Sequence, residues 1–159
     1  MKKVVFISPM YNASHHIKEL IDSIKEQKNP NWEHVIIDDM SKDNSYDLAR
    51  EYTGEDSRFT IVKNTEKKYA LKNVIEASRK YQDDNNAVIA IIDADDALCN
   101  ENTVKQLLNS YDDETDTVWT AHSWDINGMN ISKPLPEKVN PYQFNWCSSH
   151  LKTFRASLL

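Results

Sequence analysis

The sequence predicts an α/β protein, a mostly parallel sheet with helices on both faces. Three observations carry that reading. Short β-branched runs alternate along the chain with segments of helical periodicity. The runs "VVFI", "VII" and "VIAII" are almost continuously apolar, as strands covered on both faces are. Strand, helix, strand, helix is also the order from which parallel sheets are built.

The elements follow in order. "KVVFIS" is a first strand, and "PMYNAS" is a loop with Asn12 and Ser14 as candidate helix caps. Ile17, Leu20, Ile21 and Ile24 then form one apolar helical stripe. "NPNW" ends that helix, and "EHVIIDD" is a second strand closing in acid. "SKDNSYDLAREY" reads as a capped helix burying Leu48, Ala49 and Tyr52. "FTIVKN" is a third strand, and "YALKNVIEASRKY" places Leu71, Val74, Ile75 and Ser78 on one helical face. "AVIAIID" is a fourth strand, "NTVKQLLNSY" a helix, and "DTVWTAHSW" a fifth strand. Asn127-Gly128 signals a two-residue hairpin. The closing "KPLPEKVNPYQFNWCSSHLKTFRASLL" contains prolines and aromatics and reads as helical from about His150, with the chain ending inside that helix.

Composition narrows the function. The 159 residues make one domain, with 40% hydrophobic and 28% charged residues. Asp plus Glu is 25 against 19 Lys plus Arg, a net charge of -6, which argues against a nucleic-acid partner. Cys99 and Cys147 match no zinc spacing and read as free thiols of a reducing compartment. "MKKVVFISPMYN" has too short an apolar run for a secretory signal, and no run reaches transmembrane length. The expected location is cytoplasmic, with any membrane association made through a partner. With two glycines, Gly54 and Gly128, there is no GxGxxG and no GxxxxGK[ST].

Open parallel sheets bind ligands beyond the carboxyl ends of their strands. Here those ends carry Ser8, Pro9, Tyr11 and Asn12, then Asp38 and Asp39, then Asp93, Asp95 and Asp96. Like charges this close raise one another's pKa unless a cation sits among them. Hard oxygens suit Mg²⁺ or Mn²⁺, and Mg²⁺ takes one or two carboxylates with water and phosphate oxygens. A divalent metal holding a diphosphate is the expectation.

Four motifs, "SPMYNASHHIKELIDSI", "VIIDDMSKDNSYDLA", "YALKN" and "IDADD", occur in the order found in family 2 glycosyltransferases, which the chain resembles over residues 4 to about 125. The resemblance implies the GT-A fold, a nucleotide-binding parallel sheet with an Asp-x-Asp metal motif. It implies that Tyr11 stacks on the base, that Asp39 accepts from it, with uracil favoured, and that Asp38 fixes this loop. Pro9, Asn12 and Ala94 would line the donor. Lys72 would approach the diphosphate, with Asn73 beginning the following helix. Asp93 would bind ribose or order the motif and share the metal with Asp95, the main ligand. Asp96 would lie near the donor sugar or bind the metal through water.

The implied reaction is a metal-dependent, inverting transfer of a hexosyl or N-acetylhexosaminyl group from a nucleoside-diphosphate sugar, with UDP favoured. The acceptor is a hydroxyl of a glycan, lipid-linked or protein molecule. The expected division is 1–125 for the donor nucleotide and 126–159 for the start of the acceptor side, in a chain truncated at its C-terminus. The family's general base lies well downstream of Asp-x-Asp. From Asp125 onward the acids are Asp125 and Glu137, neither in a base motif. The base is therefore unassigned, with Asp96 and His150 as candidates, and the alternative is a non-catalytic nucleotide-sugar-binding module.

Plainer readings compete. Asp95 and Asp96 could cap the next helix. Asp38-Asp39 could be turn chemistry. Tyr11 could be a packed loop aromatic, Lys72 a solvated helix residue, and His15 and His16 exposed. A phosphoacceptor receiver would need acids after strand one, where "SPMYN" stands. A sugar nucleotidyltransferase would need a glycine-rich basic loop there.

Overall fold

The computed structural model of the chain describes residues 2–124, 127–130 and 151–159. Its sheet contains β1 (Lys3–Met10), β2 (Trp32–Asp38), β3 (Phe59–Lys63), β4 (Ala87–Ile91), β5 (Thr117–Trp119) and β6 (Lys152–Arg155). The helices are α1 (Ile17–Lys25), α2 (Ser45–Thr53), α3 (Tyr69–Ser78) and α4 (Thr103–Ser110). Strand order is β3-β2-β1-β4-β6-β5. β1 pairs parallel with β2 and β4, and β2 with β3. β6 runs antiparallel to both its neighbours. The expected mostly parallel α/β sheet is present, with helices on both faces.

The apolar strands serve two cores. On one face Val4, Phe6, Met10, Ile36, Ala90 and Ile92 meet α1, α2 and α4. On the other, Val5, Ile7, Val35, Ile37 and Ile89 meet Val74 and Ala77 of α3. All four stripe residues of α1 are buried, as expected. α3 is rotated from expectation: it buries Asn73, Val74, Ala77 and Ser78, and leaves Leu71 74% exposed. An apolar residue one turn before the true stripe fits the helical period equally well. In α2, Ala49 is buried, while Leu48 and Tyr52 are half-buried against the core.

Three further expectations are corrected. Asn12 and Ser14 do not cap α1, whose N-cap position is His16 without a side-chain cap bond. Around Asn127-Gly128, Trp124 N–H bonds to Met129 O at 3.1 Å and Ser123 bridges Asn130, a wider closure than the two-residue hairpin expected. The C-terminal segment is strand β6 followed by a single 3-10 turn, Ala156–Leu158, rather than a helix. Leu151, Phe154, Arg155 and Leu158 have helical spacing, yet the open edge of β4 needs a backbone partner. Thr153 secures the pairing: its hydroxyl lies 2.6 Å from Tyr111 Oη and donates to Val118 O. His150, Asp125, Glu137, Cys147 and "FNWC" lie outside the described residues.

Inside the sheet, Ser8 and His34 form a buried pair, Oγ to Nε2 at 2.8 Å. Ser8 was expected on the ligand rim; it is wholly buried instead. His34 is enclosed by Phe6 and Phe59, and its Nδ1 has no partner among the described residues. Burial alone lowers its pKa to about 3.

Two predictions follow from this packing. The unfolded imidazole takes its proton near pH 6.5, so stability is lost as pH falls from there toward the folded value. Between pH 7.5 and pH 5 His34 should cost about 2 kcal/mol, measured by urea denaturation; an equal pH dependence in His34→Gln would overturn this. For α3, Leu71→Gln should change stability by less than about 0.5 kcal/mol. Val74→Ala should cost about 1–3 kcal/mol, and the reverse ranking in the same assay would contradict the observed helix face.

Candidate functional site

The strand order fixes where a ligand fits. β1 leads through α1 to β2 on one side, whereas β4 leads through α4 toward β5 on the other. The connections diverge at the carboxyl ends of β1 and β4, which leaves a crevice there. Proline occurs in a central strand because of this gap. Ile7 O accepts Ile92 N–H from the β4 side, and side-to-side alternation points Pro9 the same way. β4 pairing with β1 ends at Ile7 and Ile91, so the N–H that proline lacks has no ladder bond to make.

The loop after β1 is tied to the loop after β2 by a crosswise web. Asp39 N–H bonds to Met10 O at 2.8 Å. Asn12 N–H reaches Ser41 Oγ at 2.9 Å, while Asn12 Oδ1 accepts Lys42 N–H at 2.8 Å. Ala13 N–H bonds to Ser45 Oγ, and Ser14 N–H to Asp43 Oδ2. Burial would raise the Asp43 pKa, but bonds from Ser45 and Ser14 hold it at about 2.

Asp38 and Asp39 have different surroundings. Asp38 is wholly buried at the end of β2; Oδ1 accepts Ser41 N–H at 3.3 Å and Oδ2 has no partner among the described residues. Asp39 Oδ1 accepts from Asn64 Nδ2 and Lys68 N–H, both at 2.8 Å. Its Oδ2 accepts Tyr69 N–H at 2.8 Å and lies 3.7 Å from Lys67 Nζ. Burial pushes the Asp39 pKa up, and the donated bonds outweigh it, leaving about 2. Asn64 also donates to Asn73 Oδ1 at 2.8 Å, while Asn73 Nδ2 is buried with no well-formed hydrogen bond among the described residues, although the Asn73 amide helps hold the Asp39 pKa down. Asn73 thus supports the pocket from behind.

Around this centre three non-glycine residues take left-handed backbone: Asn12 (φ 54), Met40 (φ 64) and Tyr69 (φ 64). Such geometry is costly for bulky residues and gathers where surrounding bonds enforce it. Tyr69 is the extreme case, 71% exposed and held by its N–H on Asp39. Tyr11 is 46% exposed at the crevice, with Lys67 Nζ 2.9 Å from its ring centroid.

On the β4 side, Ala94 is buried, Asp93 and Asp96 are partly covered, and Asp95 is exposed. Asp96 N–H closes a turn onto Asp93 O at 3.1 Å. No described residue donates to the Asp95 carboxylate or pairs with it. Among the described residues no three His, Cys, Asp or Glu side chains gather as a ready cage for an ion. An exposed carboxylate with unengaged oxygens fits a hard cation that completes its shell with water and phosphate. Lys72 is solvent-facing and 3.9 Å from Glu76. His15 and His16 are exposed, as expected.

A family model described as Glycosyl transferase family 2 matches residues 5–156. The chain belongs to that family. One relative is the UDP-Glc:alpha-D-GlcNAc-diphosphoundecaprenol beta-1,3-glucosyltransferase WfgD of Escherichia coli, 36% identical over 93 residues, 58% of this chain and 35% of WfgD. The mannosyltransferase PcManGT from Pyrobaculum calidifontis, in complex with GDP-Man and Mn²⁺, superposes with TM-score 0.70 at 22% identity, covering 96% of this chain and 44% of that one. S. aureus TarS in complex with UDP-GlcNAc gives TM-score 0.72 at 19% identity, covering 98% and 46%. These likenesses establish the GT-A fold. The chain spans 40%, 32% and 26% of the length of three curated relatives it matches.

The expectations missed Lys67 and Asn64. Asn64 directly follows β3, a position where an Asn signals turn chemistry; Lys67 carries no sequence signal that separates it from a solvated lysine. The strain at Tyr69 gives a test: Tyr69→Gly should raise stability by about 1 kcal/mol by removing the left-handed penalty. Thermal or urea denaturation reads this directly, and a loss of stability would mean the Tyr69 ring contributes more than its backbone costs.

Proposed function

We propose that this glycosyltransferase domain binds a nucleoside-diphosphate sugar in the β1–β4 crevice and transfers the sugar, with inversion, to a hydroxyl acceptor. The observation that carries the reading is the pairing of an exposed aromatic, Tyr11, on one lip with the exposed carboxylate of Asp95, which no described residue engages, on the other. The base would stack on Tyr11 and donate an N–H to Asp39, whose Oδ2 keeps lone-pair capacity. Uracil N3–H suits that acceptor, and the relatives named for UDP-Glc or bound to UDP-GlcNAc support UDP as the donor nucleotide.

Asp95, with Asp93, would hold Mn²⁺ or Mg²⁺. When bound, the ion supplies positive charge against the leaving diphosphate. Lys72 would turn from Glu76 toward the phosphates, and Asp93 would serve the ribose. Pro9, Asn12 and Ala94 shape the crevice wall, and Asn73 backs Asp39. Residues 1–125 form the donor part and 126–159 the acceptor side. Transfer needs a general base to take the acceptor hydroxyl proton; Asp96 is the candidate among the described residues, and His150 lies outside them. No described helix is long and apolar enough to cross a membrane. We place the reaction in the cytoplasm, in polysaccharide or glycan synthesis, with any membrane contact made through a partner.

The test is calorimetric titration with UDP, GDP and CDP, each with Mn²⁺ and with EDTA, on the parent and Asp95→Asn. Metal-dependent binding of UDP should be abolished in the variant, with stability changed by less than about 0.5 kcal/mol. Equal UDP affinity in the two proteins with Mn²⁺ present would sink the metal role of Asp95.

A further inference from the structure

Lys67 stands in the loop between β3 and α3, and its ammonium lies inside the proposed base pocket. Nζ is 2.9 Å from the Tyr11 ring centroid. It donates to Asp39 O at 3.2 Å and lies 3.7 Å from Asp39 Oδ2. A carboxylate offers about four lone-pair positions. Asn64 and Lys68 fill Oδ1, and Tyr69 takes one position on Oδ2, so the remaining capacity is on the oxygen that Lys67 approaches.

A base bound as proposed above needs the same two places: the face of Tyr11 and an acceptor position on Asp39. The ammonium meets both needs, as a cation against a π face and as a charged N–H donor. We infer that Lys67 is a stand-in for the nucleobase: its ammonium closes the base pocket of the free chain, and nucleotide binding displaces it. This rests on the donor-site reading. The lysine is suited to leaving. Its side chain is one third exposed, on a four-carbon stem in a loop, and the released ammonium is readily hydrated. Partly exposed ion pairs are weak, so the closure is shallow and a base that stacks and donates can replace it.

UDP is an anion, so deleting a nearby positive charge should weaken its binding by electrostatics alone. Displacement requires the opposite. With Mn²⁺ present, Lys67→Met should bind UDP about fivefold more tightly than the parent, the scale of one partly exposed cation–π contact. Uridine, which has no phosphate, should gain by the same factor. NMR of the lysine side chains supplies a second readout. The Lys67 ε-methylene signal, assigned by its loss in Lys67→Met, should be shifted upfield by the Tyr11 ring in the free chain. It should return to an ordinary position at saturating UDP. Equal or weaker UDP binding by Lys67→Met, with the parent binding intact, overturns the role of Lys67 alone. So does a Lys67 signal without the upfield shift, or one that saturating UDP leaves in place. If neither protein binds UDP, GDP or CDP, the donor-site reading itself falls and takes this inference with it.

Discussion

The Asp39 carboxylate is the constraint around which the candidate site is arranged. Its backbone N–H ties β2 to Met10, and its side chain gathers Asn64, Lys68 and Tyr69 from the loop before α3. Burying a charge is costly unless donors surround it. Here three well-formed bonds offset that cost, keep the group ionised, and give otherwise unpaired backbone N–H groups an acceptor. The left-handed backbone at Tyr69 persists because its N–H must point at this oxygen. The surroundings of Asp39 are therefore fixed by the protein's own bonds.

The two acidic rims differ in burial. Asp38 and Asp39 are enclosed, and their oxygens serve mainly the protein's own donors, apart from Asp38 Oδ2. Asp95 is exposed, and no described residue engages its oxygens. An enclosed carboxylate with fixed donors can read a single N–H by geometry; an exposed one can exchange water and take a hydrated ion. The gap between them exists because β1 and β4 send their chains in opposite directions, and Pro9 keeps the lip of that gap free of ladder bonds.

Much of the fold is legible in the residues. Continuous apolar runs mark β1, β2 and β4 because those strands are covered on both faces, and Ile17, Leu20, Ile21 and Ile24 mark the inward stripe of α1. The failures have physical reasons. Leu71 satisfies the helical period of α3 yet faces water, since periodicity gives the spacing and not the angle at which a helix docks. Leu151 to Leu158 has helical spacing, but the vacant edge beside β4 imposes a strand, a demand set by residues sixty positions away. In the site, the acids at strand ends and Tyr11 could be picked out from position alone. Lys67 and the strain at Tyr69 could not, because both depend on where the loop of residues 64–68 crosses Asp39.

The late arrival of β6 has a consequence for biosynthesis. β4 is complete once residue 91 has been made, but the strand that covers its outer edge is not available until residues 152–155 emerge. For that interval a nascent chain carries an unprotected hydrogen-bonding edge on an apolar strand, the kind of surface on which chains associate. β5 is caught in the same delay, since among the described strands it pairs only with β6. The parallel part of this sheet is therefore encoded early yet sealed late, and a ribosome stalled between those points would present a sticky intermediate to the quality-control machinery.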